Sequence, residues 1–232
     1  STVPRVAAVA MLVRILVDGL GAMHAYWADL FMVLAVLSIA LGSVVALMQT
    51  NIKRLLAYST ISHVGFIMLG FVTGVISGYG AAVFYVFVYI LMSLAAFGIV
   101  ILLNKKGFEA DQISDFKGLS NYSPWFALMM LVVMLSMAGV PPFIGFYAKF
   151  FILQQVISAG FITLAVVAVI FAVISAYYYL QIIKSMYFEE ADKDITITAP
   201  MSMQLVLSIN AVLILVVGIF PDFWIKLSLS LF

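Results

Sequence analysis

Cysteine is absent, so this chain can build no disulfide, no thiolate metal site and no cysteine-ligated iron–sulfur cluster. Histidine is nearly absent. His24 and His63 lie far apart, which argues against a metal cluster. Charge is scarce too: 9% of 232 residues carry one, against roughly 25% in a soluble domain. None of it gathers into a basic patch for nucleic acid. There is also no phosphate loop, dinucleotide fingerprint, Ser-His-Asp set or pair of intramembrane carboxylates. Only Asp29, near the start of a span, stands as an acidic candidate for depth. These absences argue against a carboxylate-based pump within this chain and against catalytic chemistry, and neither a resident cofactor nor a soluble small-molecule substrate is expected.

What is present is long apolar sequence, 66% hydrophobic with mean hydropathy +1.24. A helical crossing of a ~30 Å hydrocarbon core takes about 20 apolar residues. Counting on that basis gives an all-α polytopic membrane protein with about seven spans: 2–20, 27–49, 55–76, 80–103, 125–156, 161–188 and 201–220. Alternating them puts Lys53, Arg54, Lys105, Lys106, Lys117 and Lys193 on one side, with Lys226 alone beyond a span on the other. The positive-inside rule assigns the richer side to the cytoplasm, or to the matrix of an organelle. No signal-peptide pattern appears, and the first residues, Ser1-Thr-Val-Pro without methionine, lead us to expect sequence upstream.

The fifth span is unusual. From 125 to 156 it would be ~48 Å long at 1.5 Å per residue, too much for one upright crossing. Inside it stand Gly139, Pro141 and Pro142. Proline removes a backbone donor and clashes with the preceding turn, so the helix is expected to break there. Broken helices survive in lipid only where protein or trapped water satisfies the freed carbonyls. Seven positions past Pro142 comes Lys149, within an apolar segment. An ammonium beside a break reads as an ion or proton site; the plainer reading is a lysine snorkelling to an interface.

Other polar residues admit two readings each. His63 shares a helical sector with Ser59, Ser62 and Phe66, and reads as a proton relay or as a neutral histidine bonded to a helix carbonyl. Tyr85, Tyr89 and Ser93 recur at i, i+4 and i+8, a stripe that favours helix packing over conduction. Arg5 follows Pro4 and lies about 13 Å along the axis from Arg14. That makes it a mid-membrane fixed charge or the end of a span beginning there. Arg14 and Asp18 are spaced to pair. Tyr177, Tyr178, Tyr179 and Lys184 read as interfacial anchors, as do Lys53 and Arg54. The connection 104–123 is expected to be solvated, with a short surface helix over 111–119 turning Ile113, Phe116 and Leu119 to the membrane or a partner. The mixed-charge segment 189–194 reads as a second solvated loop.

Two stretches, Asn51-Ile-Lys-Arg-Leu-Leu-Ala-Tyr-Ser-Thr-Ile-Ser-His-Val-Gly65 and Ser136-Met-Ala-Gly-Val-Pro-Pro-Phe-Ile-Gly-Phe-Tyr-Ala-Lys-Phe150, resemble the antiporter-like membrane subunits of respiratory complex I. The multisubunit cation/proton antiporters share these motifs. Lysine at 149 disfavours the paralogue with glutamate there. The end at Phe232 disfavours the paralogue that continues into a long lateral helix, leaving the third membrane-arm type and its C-terminal half. The resemblance implies inverted five-helix repeats, the second over 27–188 with its break near 139–142. Residues 1–26 would end the preceding helix, and 189–232 would hold a loop, the final span and a short tail. It also implies proton transport coupled to quinone reduction elsewhere. Lys149 would be the terminal lysine of the path, His63 a bridge, and Arg5 would stand where the family has a lysine. Ser59, Ser62, Tyr85 and Tyr89 would be supporting polar groups. The implied partners are the lipid bilayer and other membrane-arm subunits of a bacterial or mitochondrial inner membrane. NADH, FMN, iron–sulfur clusters and quinone would reside in those partner subunits.

Overall fold

A computed structural model describes residues 2–103, 111–190 and 201–232, with side chains from residue 7 onward. The backbone of Arg5 is therefore described as helical, while its side chain lies outside the described set, as do Lys105, Lys106 and Lys193.

Helix α1 (Thr2–Val13) runs on through a π-helical segment, Arg14–Gly19, that carries the Arg14–Asp18 pair at 3.1 Å. After a short 3-10 turn come α2 (His24–Leu47), α3 (Ile52–Val72) and α4 (Ile76–Leu103). The broken element is α6 (Pro124–Ala138) and α7 (Ile144–Ser158), preceded by the single-turn α5 (Leu119–Tyr122). It is followed by α8 (Ile162–Phe188), α9 (Met201–Ile219) and α10 (Pro221–Leu229). Among the described residues five helical stretches, Gly21–Leu47, α3, α4, α8 and α9, are long and apolar enough to cross a membrane, and α6 and α7 are shorter apolar helices. Asp29 is exposed on α2, not buried in the bundle.

Close approach organises the bundle. With no hydrophobic force between helices in lipid, packing depends on small residues at the contact. A Cβ on Gly42 would lie 2.4 Å from the Ser62 backbone nitrogen, and one on Gly65 would lie 2.8 Å from the Ala35 carbonyl. Helices α2 and α3 therefore touch backbone to backbone. Gly218 of α9 does the same against the break, where a Cβ would meet the Pro142 carbonyl at 2.6 Å.

The side that holds Lys53, Arg54, Lys117 and Lys184 is closed by a clasp. Ile52 donates its N–H to the Asp111 carbonyl (2.7 Å) and Ile113 to the Thr50 carbonyl (2.9 Å), while Lys53 pairs with Asp111. Ser185 donates to the Ile113 carbonyl at 3.1 Å, and Lys117 and Lys184 both face Glu189.

Here two sequence expectations are corrected. The 111–119 segment is a 3-10 turn over Ile113–Phe116, and Phe116 and Leu119 are fully buried against their own chain instead of facing membrane or partner. Backbone pairing to the α2–α3 turn pulls the segment inward, so its apolar residues fill the protein's own end. Likewise, of the tyrosine run only Tyr177 is exposed; Tyr178 and Tyr179 are buried. Successive helical residues step by 100°, so a Tyr-Tyr-Tyr run cannot all face lipid.

The last helix, α10, adds a short amphipathic piece beyond α9. Pro221 opens it at a position needing no donor, Asp222 sits in its first turn and Lys226 in its last, each matching the helix dipole. Trp224 stacks on Phe87 of α4 at 5.1 Å.

Candidate proton-transfer site

The break leaves two specific carbonyls without helical donors. In a continuous helix the Met137 and Ala138 carbonyls would accept from the N–H groups of residues 141 and 142. Both of those residues are proline, which has none. Lys149 supplies the replacement: its Nζ donates to the Met137 carbonyl at 2.9 Å and to the Ala138 carbonyl at 3.0 Å. The lysine is 7% exposed. A cation at a helix C-terminus is also favoured by the aligned peptide dipoles. These contacts leave the snorkelling reading without support in the structure.

The geometry around this contact depends on two glycines. Gly139 ends α6 at φ +85°, and the N–H of Val140 returns to the Leu135 carbonyl while that of Gly139 returns to Ser136, which is the Schellman pattern. A Cβ at Gly139 would also press on Lys149 Cδ at 3.1 Å. Gly145 lets the start of α7 lie against the end of α6, where a Cβ would fall 1.8 Å from the Ser136 carbonyl. Its N–H is bound by the Ser136 hydroxyl at 3.1 Å.

Phe66 of α3 lies beyond the lysine, its ring centroid 5.8 Å from Nζ, within cation–π reach. The Phe66 ring is stacked on Tyr85 at 6.0 Å and 5°. Behind it stands His63, 3% exposed, with Nδ1 2.8 Å from the Tyr85 hydroxyl and Nε2 3.1 Å from that of Tyr179. His63 is thus held by two phenols and not by a helix carbonyl. The Tyr89 ring packs on it at 5.0 Å and its hydroxyl is 2.7 Å from Thr60.

Three serines from three helices form an adjoining chain. The hydroxyls of Ser43 and Ser62 lie 3.0 Å apart, and those of Ser43 and Ser175 2.9 Å apart. Ser59 instead donates to its own helix at the Leu56 carbonyl. The structure therefore brings together His63, Ser62, Tyr85 and Tyr89, with Lys149 one aromatic ring away. Sequence reasoning did not single out Thr60, Ser43 or Ser175, and it read Tyr178 and Tyr179 as interfacial anchors. The spacing of Ser175 and Tyr179 at i, i+4 was the available signal, masked by the interfacial reading of the tyrosine run.

The arrangement can hold and hand on protons. It offers no metal site: among the described residues no group of three His, Asp or Glu side chains stands together.

A bundle with an apolar broken helix, a lysine at the break and a buried histidine behind it defines a class of polytopic helical membrane proteins. The transmembrane family described as NADH:quinone oxidoreductase/Mrp antiporter matches residues 1–175, and the chain belongs to that family. It is 79% identical over 232 residues to NADH-quinone oxidoreductase subunit N of Ruthia magnifica subsp. Calyptogena magnifica, covering 100% of this chain and 48% of that protein. The subunit N of Thioalkalivibrio sulfidiphilus is 51% identical over 227 residues, 98% of this chain and 47% of that one. The chain therefore spans about half the length of the curated relatives it matches. Among solved structures it resembles a chain of respiratory complex I from Thermus thermophilus, with TM-score 0.76 and 29% identity over 85% of this chain and 45% of that one. A chain of the Mrp complex from Dietzia sp. shares the fold at TM-score 0.80 with 19% identity, over 91% of this chain and 47% of that chain. It is an integral membrane protein of all-α architecture with one discontinuous helix.

Proposed function

We propose that this chain is the proton-translocating C-terminal half of a subunit N-type protein of NADH-quinone oxidoreductase, without a redox centre of its own. Residues 27–188 would be its five-helix translocating unit. Electrons would pass through NADH, FMN, iron–sulfur and quinone sites in partner subunits of the membrane and peripheral arms. The observation that carries this reading is the bonding of Lys149 to the two carbonyls that Pro141 and Pro142 leave unpaired.

That bonding suits a carrier that stays in place. An ammonium has three N–H donors. Two are spent on the Met137 and Ala138 carbonyls, and the third position is free to exchange. A neutral amine keeps both carbonyl bonds and presents a lone pair where the third proton was. Lys149 can then load and unload without breaking the cap of α6. A neighbouring charge that moves during quinone reduction would shift its proton affinity, each pK unit being about 1.4 kcal/mol. His63, between Tyr85 and Tyr179, would supply protons from the basic side, and Arg5 would act as a fixed positive charge.

The test is Lys149→Ala in the full-length subunit within the assembled complex, reconstituted in vesicles. NADH-driven proton uptake is expected to fall sharply while NADH:ferricyanide reduction is unchanged. Unchanged proton uptake in a fully assembled complex would falsify the proposal and leave a structural role in the membrane arm. A second reading, a subunit of a cation/proton antiporter, draws on the fold shared with the Mrp chain. Sodium-dependent exchange without quinone would mark it.

A further inference from the structure

We infer that Tyr178 and Ser175, beside Tyr179, bind an internal water that feeds protons to His63. This rests on the proton-transfer reading above and assigns its inlet. Tyr178 is 1% exposed, and its hydroxyl has no hydrogen-bond partner in the protein. An orphan hydroxyl in such a core costs about 1–3 kcal/mol, and buried waters typically settle such groups by making two to four bonds. The surroundings can supply those bonds. The Tyr178 hydroxyl lies beside both Ser175 and Tyr179 without a bond of good geometry to either. Ser175 precedes it by three residues on the same face of α8, and the Tyr178 and Tyr179 rings are 4.5 Å apart.

The hydroxyl protons can be counted. Ser175 donates to the Phe171 carbonyl at 2.9 Å, so in its 2.9 Å contact with Ser43 it must accept. Ser43 has spent its proton there, so Ser62 donates to Ser43. The serine chain is thus polarised toward Ser175 and ends on a helix carbonyl, where no proton can pass further. Ser175 keeps one lone pair, which a water can use. The serines therefore anchor the water, and the outlet is Tyr179.

Transfer then proceeds without charging a tyrosine. A proton arriving at the water passes to the Tyr179 oxygen while the Tyr179 hydroxyl proton moves to His63 Nε2. The Nδ1 proton of His63 moves to the Tyr85 oxygen, and the Tyr85 hydroxyl proton is taken up by the neutral Lys149 amine through a second water, because the Phe66 ring between them carries no proton. One proton has crossed, Lys149 has become an ammonium, the relay groups are neutral again, and His63 holds the other tautomer.

The experiment uses the full-length subunit in the assembled complex in vesicles, with proton uptake followed in H2O and in D2O. Tyr178→Phe keeps the ring and removes the hydroxyl. Coupled proton uptake is expected to fall about tenfold, with a larger solvent isotope effect and unchanged NADH:ferricyanide activity. Tyr179→Phe should fall further, and exposed Tyr177→Phe should match wild type. The inference is overturned if Tyr178→Phe pumps at the wild-type rate and isotope effect, if Tyr177→Phe shows the same loss, or if Tyr178→Phe fails to assemble. If Lys149→Ala still abolishes uptake in that event, only the water inlet is lost and the function stands.

Discussion

The two halves of the bundle on either side of Lys149 are built from different chemistry. Toward the basic side the interior holds His63, Tyr85, Tyr89, Tyr178 and Tyr179 with Ser43, Thr60, Ser62 and Ser175, most of them bonded to one another across helices. Toward the opposite side α7 continues with buried Ile152 and Val156, and Phe71 at the end of α3 meets Tyr79 near the start of α4 at 5.8 Å. Polar side chains there find single carbonyls: Thr73 and Ser228 each bond one three residues back on their own helix, Gly70 and Ile225, and His24 reaches that of Phe71 at 3.4 Å. A hydroxyl turned onto its own helix links nothing. One half holds interhelical hydrogen bonds around His63, and the other offers mostly apolar side chains for water to enter between. Under the proposed function Lys149, at the boundary, would be the carrier that changes its proton affinity.

The boundary itself is the first place to break this comparison. Gly145→Ala puts a methyl group into the Ser136 carbonyl, so α6 and α7 must separate at a cost of ~3 kcal/mol or more. The expected result is loss of assembled complex on a native gel. Gly139→Ala is next, costing about 1–3 kcal/mol for a left-handed non-glycine residue. Because its Cβ also displaces Lys149, proton uptake should fall further than the lowered melting temperature explains.

Smaller effects sharpen the contrast between halves. Ser43→Ala removes two interhelical bonds and should destabilise by about 1 kcal/mol, measured by thermal unfolding in detergent. Ser228→Ala, in the opposite half, should change both stability and proton uptake little. Were it to slow uptake as much as Tyr179→Phe does, the asymmetry would not be functional. Lys53→Ala, at the exposed clasp, should cost no more than about 1 kcal/mol and leave uptake intact.

Local pattern and global placement divide cleanly in this protein. Apolar runs near the length of a bilayer gave the helices and the membrane class, because hydropathy and the 3.6-residue repeat are properties of neighbouring residues. The break was equally legible, since two adjacent prolines delete two specific backbone donors wherever the chain is placed. Lys149 stood out because a charge in an apolar run is expensive in lipid. Which groups would answer these needs could not be read locally. Eleven and twelve residues separate Lys149 from the carbonyls it caps, 116 separate His63 from Tyr179, and 132 separate Ser43 from Ser175. Those partners are selected by the angle and distance at which α2, α3, α4 and α8 pack, set in turn by contacts such as Gly42 on Ser62. Phe116 and Leu119 likewise turned inward through backbone pairing to a distant turn, between Ile113 and Thr50 and between Ile52 and Asp111. The sequence by itself determined what this chain lacks, where it crosses and where it breaks; the tertiary structure alone decided who bonds the lysine and the histidine, because hydrogen bonds between helices depend on packing that no single helix encodes.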